Sequence, residues 1–115
     1  MDIQAWTNND SLLKADDTIV TRHIRDLRRL ADDSMTLLDE KKEPSARRNY
    51  TLLRDIIFYE SQQFKNPPSE QTENLTFNYI TTIHNLSDTL PETPKTSELY
   101  DVLSRAYKKL HQLIN

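Results

Sequence analysis

The chain has 115 residues, with 15 basic and 18 acidic side chains, no cysteine and no glycine. Without cysteine it has no disulfide, thiolate metal site or cysteine nucleophile. Without glycine, phosphate-cradling loops and dinucleotide-binding fingerprints are excluded, and tight hairpins lose the residue that takes positive φ at least cost. The net charge of −3 argues against general affinity for nucleic acid or anionic lipid. These features together predict a single all-α domain.

The N-terminal stretch MDIQAWTNND lacks the basic start and apolar core of a signal peptide. The chain also has no run of about 18 apolar residues, so we expect a cytoplasmic protein without membrane insertion. Leu12 and Leu13 either extend the first main helix backwards or join Trp6 in a separate short one. Residues 1–16 are therefore interpreted as an extension or short helix, and residues 17–115 as the folded domain.

Prolines divide the rest of the chain at three places, which are Pro44, Pro67-Pro68, and the pair Pro91 and Pro94. Because proline is tolerated in the first turn of a helix but not in its interior, these positions mark three loops between four helices. Short connections favour antiparallel neighbours. The predicted architecture is an antiparallel up-down-up-down four-helix bundle.

The predicted helices run from about Asp17 to Lys41, from near Pro44, after the Asn66–Ser69 start pattern, and from Thr96 or Ser97. Each carries apolar residues at steps of three and four, the spacing of one helix face. The predicted core is Val20, Ile24, Leu27, Ala31, Met35 and Leu38, then Ala46, Tyr50, Leu53, Ile57 and Phe64, then Leu75, Tyr79, Ile83, Leu86 and Leu90, then Leu99, Leu103, Ala106, Leu110 and Leu113.

The second helix carries an additional apolar row, formed by Leu52, Ile56 and Tyr59. Two adjacent rows make a broad apolar face, so we expect this helix to be the most buried. The same breadth is compatible with a dimer interface, and both a monomer and a homodimer remain open.

The first helix contains TRHIRDLRRL, residues 21–30, in which four arginines cluster. Side chains four residues apart face one another, which predicts the ion pairs Arg22–Asp26, Arg28–Asp32 and Arg29–Asp33. Arg25 alone lacks such a partner. A nucleic-acid interface would need unneutralised cations interleaved with aromatic rings, so we expect a solvated, ion-paired face and no nucleic-acid partner. Docking of an acidic protein is the functional alternative.

Two titratable residues lie on or beside predicted core stripes. Glu60 falls between Ile57 and Phe64, where burial could raise its pKa for acid–base work, but pairing with a Lys, Arg or Tyr is the preferred interpretation. His84 is interpreted as a core-edge residue with its hydrogen bonds satisfied. The histidines have no His/Glu partner at i, i+4 spacing, so no metal site is expected.

Aromatic residues also fall off the core stripes, notably Phe58 and Tyr100. Exposed aromatic side chains often anchor protein interfaces, and partial burial under loops is the alternative. A partner surface on the last helix would comprise Tyr100, Arg105, Tyr107, Lys108 and His111, with Arg25 as a possible contributor from the first helix.

Arg105 and His111 form an Arg-x5-His spacing that resembles the signature of HEPN-type ribonucleases, which are also helical bundles. In that family the two residues act on the scissile phosphate at a dimer cleft. The polar residue that typically follows the arginine is Ala106 here. Six residues correspond to about 600° of helix rotation, so the two side chains point to different sides unless a second subunit completes the site.

The run LLRDIIFYESQQFKNPPSEQTENLTFNYITTIHNLS, residues 52–87, is similar to the central helices of the immunity proteins that protect lactic acid bacteria from class IIa bacteriocins. This resemblance implies a cytosolic four-helix bundle that engages the complex between a bacteriocin and its receptor, a mannose phosphotransferase permease. Recognition in that family is attributed mainly to the C-terminal half. Many members are more basic and carry an extended C-terminal tail.

The sequence thus favours a non-enzymatic protein-binding bundle that needs no cofactor. Bacteriocin immunity is its most specific version, and an antitoxin, a phage-encoded inhibitor or another small regulatory protein belongs to the same class. The alternative from a different class is a HEPN-like ribonuclease that uses Arg105 and His111.

Overall fold

The computed structural model describes residues 17–64 and 74–114, and this part of the chain forms four α-helices. They are α1 (Asp17–Asp39), α2 (Glu43–Gln63), α3 (Leu75–Thr89) and α4 (Thr96–Ile114). The predicted starts of the second and fourth helices are confirmed to within one residue, and α1 is helical from Asp17, the first described residue. The expected helix start at Asn66–Ser69 and the N-terminal segment 1–16 lie outside the described residues.

Local sequence explains where the helices begin and end. Pro44 stands in the first turn of α2, where its missing N–H costs no hydrogen bond. The Oδ1 of Asn74 caps α3 by accepting from the backbone N–H of Phe77 at 3.0 Å.

The end of α1 shows what replaces glycine in this chain. Lys41 has a φ of 63°, and the N–H groups of Lys41 and Lys42 bond back to the carbonyls of Leu38 and Leu37. This pattern is a Schellman motif, which usually has glycine at the left-handed position. The tight α1–α2 connection therefore carries a backbone cost of about 1 kcal/mol that a glycine would avoid.

The helices pack as a closed ring. α1 packs chiefly on α2 and α4, and α2 packs on α3, while the diagonal pairs touch little. At one end, Arg47 of α2 donates to the Pro94 carbonyl at 2.8 Å, and Thr96 donates to Glu43 at 2.6 Å. The starts of α2 and α4 thus lie at the same end, as the up-down-up-down arrangement requires.

The predicted core is confirmed for most positions. The fully buried large side chains are Ile24, Leu27, Tyr50, Leu53, Ile57, Tyr79, Ile83, Leu86, Leu99, Leu103 and Leu110. The expectation of a doubly wide buried face on α2 is wrong, however. Of that second row only Ile56 is buried, whereas Leu52 is 45% and Tyr59 44% exposed. None of the four described helices has the length and apolar composition needed to cross a bilayer.

Candidate functional site

Among the polar contacts that join different helices in the described bundle, two clusters combine a histidine with a tyrosine, and the first is buried. The Glu60 carboxylate of α2 accepts from the Nε2 of His23 on α1 at 2.8 Å and from the hydroxyl of Tyr79 on α3 at 3.1 Å to both oxygens. His23 is 2% exposed, and the other two side chains are 0% exposed. The His23 ring also meets Tyr79 edge to face, with ring centroids 5.6 Å apart. One carboxylate therefore ties three helices together.

Burial and then the neighbouring Glu60 charge hold the pKa of Tyr79 well above its ordinary value. The hydroxyl therefore stays protonated and donates to the carboxylate. Because all three residues are enclosed by the core, the cluster presents no face to a substrate. The preferred interpretation of Glu60, pairing with a residue such as tyrosine, is confirmed.

His23 was not singled out from the sequence, although a pattern could have identified it. The residue stands three positions after Val20 and four before Leu27, which places it on the buried stripe of α1. The predicted stripes of the other helices also carry the Glu60 carboxyl and the hydroxyls of Tyr50 and Tyr79. A buried histidine needs a hydrogen-bond partner, and a carboxylate buried at the same end of the bundle provides one.

His84 lies at the edge of the α2–α3 contact. Its Nε2 bonds to the backbone carbonyl of Phe64, at the residue where α2 ends. This is the satisfied core-edge role that the sequence predicted. Within residues 17–64 and 74–114, no group of three or more metal-binding side chains comes together.

The arginines of α1 do not make the ion pairs that their spacing predicts. Among the described residues, none of the four arginines from Arg22 to Arg29 has a carboxylate oxygen within 4.0 Å, so the ion-pair prediction is wrong. The basic-before-acidic order is the weaker orientation on a helix, worth a few tenths of a kcal/mol at most. Arg28 therefore contacts a more favourable partner in place of Asp32.

That partner is the second cluster, at the seam between α1 and α4. The Arg28 guanidinium donates to the Nδ1 of His111 at 2.8 Å and lies 5.9 Å from the ring centroid of Tyr107. The two rings stack on each other, 5.8 Å apart with planes 10° from parallel. All three side chains are partly buried. Because an arginine only donates, the Nδ1 of His111 acts as the acceptor.

The remaining residues of the predicted partner surface are exposed. Tyr100 is 46% exposed, and Arg25, Arg105 and Lys108 also face solvent. Tyr107 and His111 instead form the floor of the seam under Arg28. Lys108 follows Tyr107 directly, and Arg25 lies three residues before Arg28, so cations flank the seam on both helices.

Arg105 and His111 have different surroundings within one chain. His111 faces α1 through Arg28, whereas Arg105 lies on the outer side of α4 in a shallow depression with Glu98, Asp101 and Lys108. This matches the helix rotation of about 600° between them. The ribonuclease alternative would therefore need a second subunit to supply one of the two residues, and it stays a prediction.

The outer face of α2 exposes three large apolar side chains. Leu52, Phe58 and Tyr59 are 45%, 41% and 44% exposed, and with Asp55 and Gln62 they line a shallow groove. Phe58 was predicted to point away from the core stripe, and this is confirmed. Its ring is covered on one side by the Arg54 guanidinium at 5.2 Å.

Comparison of the chain with known protein families, with characterised proteins and with solved structures found no match. The resemblance of residues 52–87 to the bacteriocin immunity proteins therefore remains an expectation from the sequence, and the functional argument depends on the surfaces described above.

Proposed function

We propose that this protein is a non-enzymatic, protein-binding helical bundle whose partner surface is the α1–α4 face. We define this face as Arg25 and Arg28 of α1 with Tyr100, Arg105, Tyr107, Lys108 and His111 of α4. The observation that carries the proposal is the state of the α1 arginines, which have no carboxylate within 4.0 Å in the described part of the chain. Their charges are available to a partner.

The side-chain composition of the α1–α4 face supports an acidic protein partner. Arginine and tyrosine are enriched at protein interfaces and among the residues that dominate binding energy. Here a fixed floor of Tyr107 and His111 holds Arg28, and exposed cations surround it. Preorganised side chains lose little conformational entropy on binding, which favours affinity. Glu98 and Asp101 line the same depression as Arg105 and Lys108, so acidic side chains border the cationic area on the outer side of α4.

The most specific form of the proposal is bacteriocin immunity. It rests on the similarity of residues 52–87 to that family and on the partner surface involving the last helix, where the family's recognition is attributed. In this form the protein acts in the cytoplasm and engages a membrane permease that carries a bound class IIa bacteriocin. An antitoxin or phage-encoded inhibitor would use the same kind of surface on a soluble protein.

The test is survival of a bacteriocin-sensitive strain that expresses the chain, together with capture of the permease from detergent-solubilised membranes with and without bacteriocin. We expect protection, and capture of the permease only when bacteriocin is present. Reversing the charges of three exposed cations should reduce protection by about tenfold or more, since each loses its attraction to an acidic surface. The variant is Arg25→Glu, Arg105→Glu and Lys108→Glu.

A matched control reverses three exposed lysines elsewhere on the protein, by Lys41→Glu, Lys42→Glu and Lys95→Glu. It changes net charge equally and should leave protection unchanged. Equal protection by both triple variants would remove the α1–α4 face as the partner surface. A wild-type chain that gives no protection and captures no permease would remove the immunity form, and specific capture of a soluble acidic protein would then support the broader class.

A further inference from the structure

The outer face of α2 carries a repeating row of exposed side chains. Arg48, Leu52, Asp55, Tyr59 and Gln62 follow one another at steps of four, three, four and three. This is the spacing of a helix seam that packs against another helix. Leu52 is 45% exposed and Tyr59 is 44% exposed, although leucine is among the residue types most often buried.

The charges along this row are arranged in a self-complementary way. Arg48 lies four residues before Leu52 and Asp55 lies three residues after it, so opposite charges flank the leucine at about 6 Å and 4.5 Å along the helix. When two copies of such a helix run antiparallel with their Leu52 side chains in contact, Arg48 of each copy meets Asp55 of the other. The twofold symmetry makes this pairing occur twice.

Both charges are available for such a contact. Asp55 is 64% exposed, and its only described cation is Arg54 at 3.8 Å. The Arg54 guanidinium also lies over the Phe58 ring, which holds it to that side of the helix. Arg48 is exposed and donates to the Ser45 hydroxyl at 3.0 Å, a neutral acceptor. A parallel arrangement would instead place like charges together.

We propose that the α2 row, defined as Arg48, Leu52, Asp55 and Tyr59, is the contact surface of a homodimer in which α2 packs antiparallel on α2 of a second copy. One helix pair buries less than the approximately 800 Å² per partner of a standard interface. The dimer is therefore weak, with a dissociation constant on the order of micromolar or higher. Its surface is separate from the α1–α4 face, so partner binding and dimer formation are independent.

The test is sedimentation equilibrium of the full chain over a concentration series that extends well above micromolar. Wild type should pass from monomer to dimer. Arg48→Glu and Asp55→Arg should each raise the dissociation constant about tenfold, because each places like charges against each other twice. The double variant Arg48→Glu/Asp55→Arg restores opposite charges in the same register and should dimerise as wild type does.

Control variants make the same charge changes on the exposed surface of α4, by Lys109→Glu and Asp101→Arg, and should leave dimerisation unchanged. Circular dichroism checks that all variants remain helical. A wild-type chain that stays monomeric throughout the series would overturn the proposal. So would a dimer that neither single variant weakens, or one that the double variant fails to restore. Survival assays on Arg48→Glu separate this outcome from the proposed function, since the α1–α4 face is untouched.

Discussion

The two polar clusters of this bundle use similar residues in opposite surroundings. Each contains a histidine, a tyrosine and one further polar residue that hydrogen-bonds to the histidine. That residue is Glu60 in the first cluster and Arg28 in the second. The first is enclosed by α1, α2 and α3, whereas the second lies half-buried where α1 meets α4. In the buried cluster, each hydrogen bond takes the place of a hydrogen bond to water, because the core excludes water. At the seam, water is close enough to compete for the same hydrogen-bonding groups.

This difference in burial implies different roles, with the first cluster contributing to folding stability and the second to binding. A buried carboxylate is costly to leave without its donors, so the His23–Glu60–Tyr79 cluster fixes the relative rotation of three helices. A partly buried arginine that contacts two rings contributes little to folding but presents its charge in a fixed place. We therefore expect substitutions in the first cluster to change the free energy of unfolding, and substitutions in the second to change recognition more than stability.

The largest expected effect is that of Glu60→Ala. The substitution removes the acceptor shared by His23 and Tyr79 and leaves a cavity in the core. We expect a loss of about 3 to 5 kcal/mol in the free energy of unfolding, measured by urea denaturation followed by circular dichroism. The control is the exposed Glu98→Ala, which should cost less than about 0.5 kcal/mol. If Glu60→Ala costs no more than this control, the buried cluster does not hold the helices together.

A smaller effect is expected from Tyr79→Phe, which removes one buried hydroxyl and keeps the ring. Near neutral pH the lost hydrogen bonds should cost about 1 to 2 kcal/mol. The same urea measurement checks this value. Tyr100→Phe makes the identical chemical change on an exposed ring and should be close to neutral. A Tyr79→Phe variant as stable as wild type would show that the hydroxyl contributes nothing to the cluster.

The raised pKa of Tyr79 predicts how the free energy of unfolding depends on pH in the alkaline range. The pKa of Tyr79 is raised in the folded protein by burial and then by Glu60, and burial raises the pKa of Tyr50 to about 12. Unfolded tyrosine loses its proton near pH 10, so above that pH the unfolded state binds fewer protons than the folded state. Stability is therefore full below about pH 10 and falls above it.

Each such tyrosine contributes a slope of up to about 1.4 kcal/mol per pH unit. Because Tyr79→Phe removes one tyrosine with a raised pKa, the variant should lose up to about 1.4 kcal/mol per pH unit of this slope between pH 10 and 11. Urea midpoints measured at several pH values give the slopes directly. Identical slopes in Tyr79→Phe and wild type would contradict a raised pKa at this residue.

The described helices and most of the core are predictable from the sequence, because both depend on local chemistry. The prolines mark the connections, and apolar residues at steps of three and four mark the buried faces, as in Val20, Ile24 and Leu27. Lys41 shows the limit of such reasoning at a turn. A left-handed residue was needed, but nothing in the sequence without glycine indicates which residue adopts it.

The predictions that failed concern which side of a helix faces which neighbour. Leu52 and Tyr59 form a row as regular as the buried one. Periodicity alone does not reveal that, among the described helices, α2 packs chiefly against α1 and α3 and leaves that row exposed. Periodicity likewise does not reveal the hydrogen bond between His23 and Glu60, because this contact depends on the relative rotation of two helices. The predicted Arg28–Asp32 ion pair is absent for an energetic reason, because spacing permits a contact without making it the best one available.

The smallest expected effect tests the seam cluster. Arg28→Ala and His111→Ala should each cost about 0.5 to 1.5 kcal/mol, since a partly exposed hydrogen bond and a ring contact are lost. In a double-mutant cycle measured by urea denaturation, their coupling should be about 0.5 to 1 kcal/mol. Arg29→Ala, an exposed neighbour without a described partner, serves as the control and should show no coupling to His111→Ala. A cycle without coupling would mean that Arg28 is not held by His111 in solution, and the fixed charge on which the α1–α4 face depends would be lost with it.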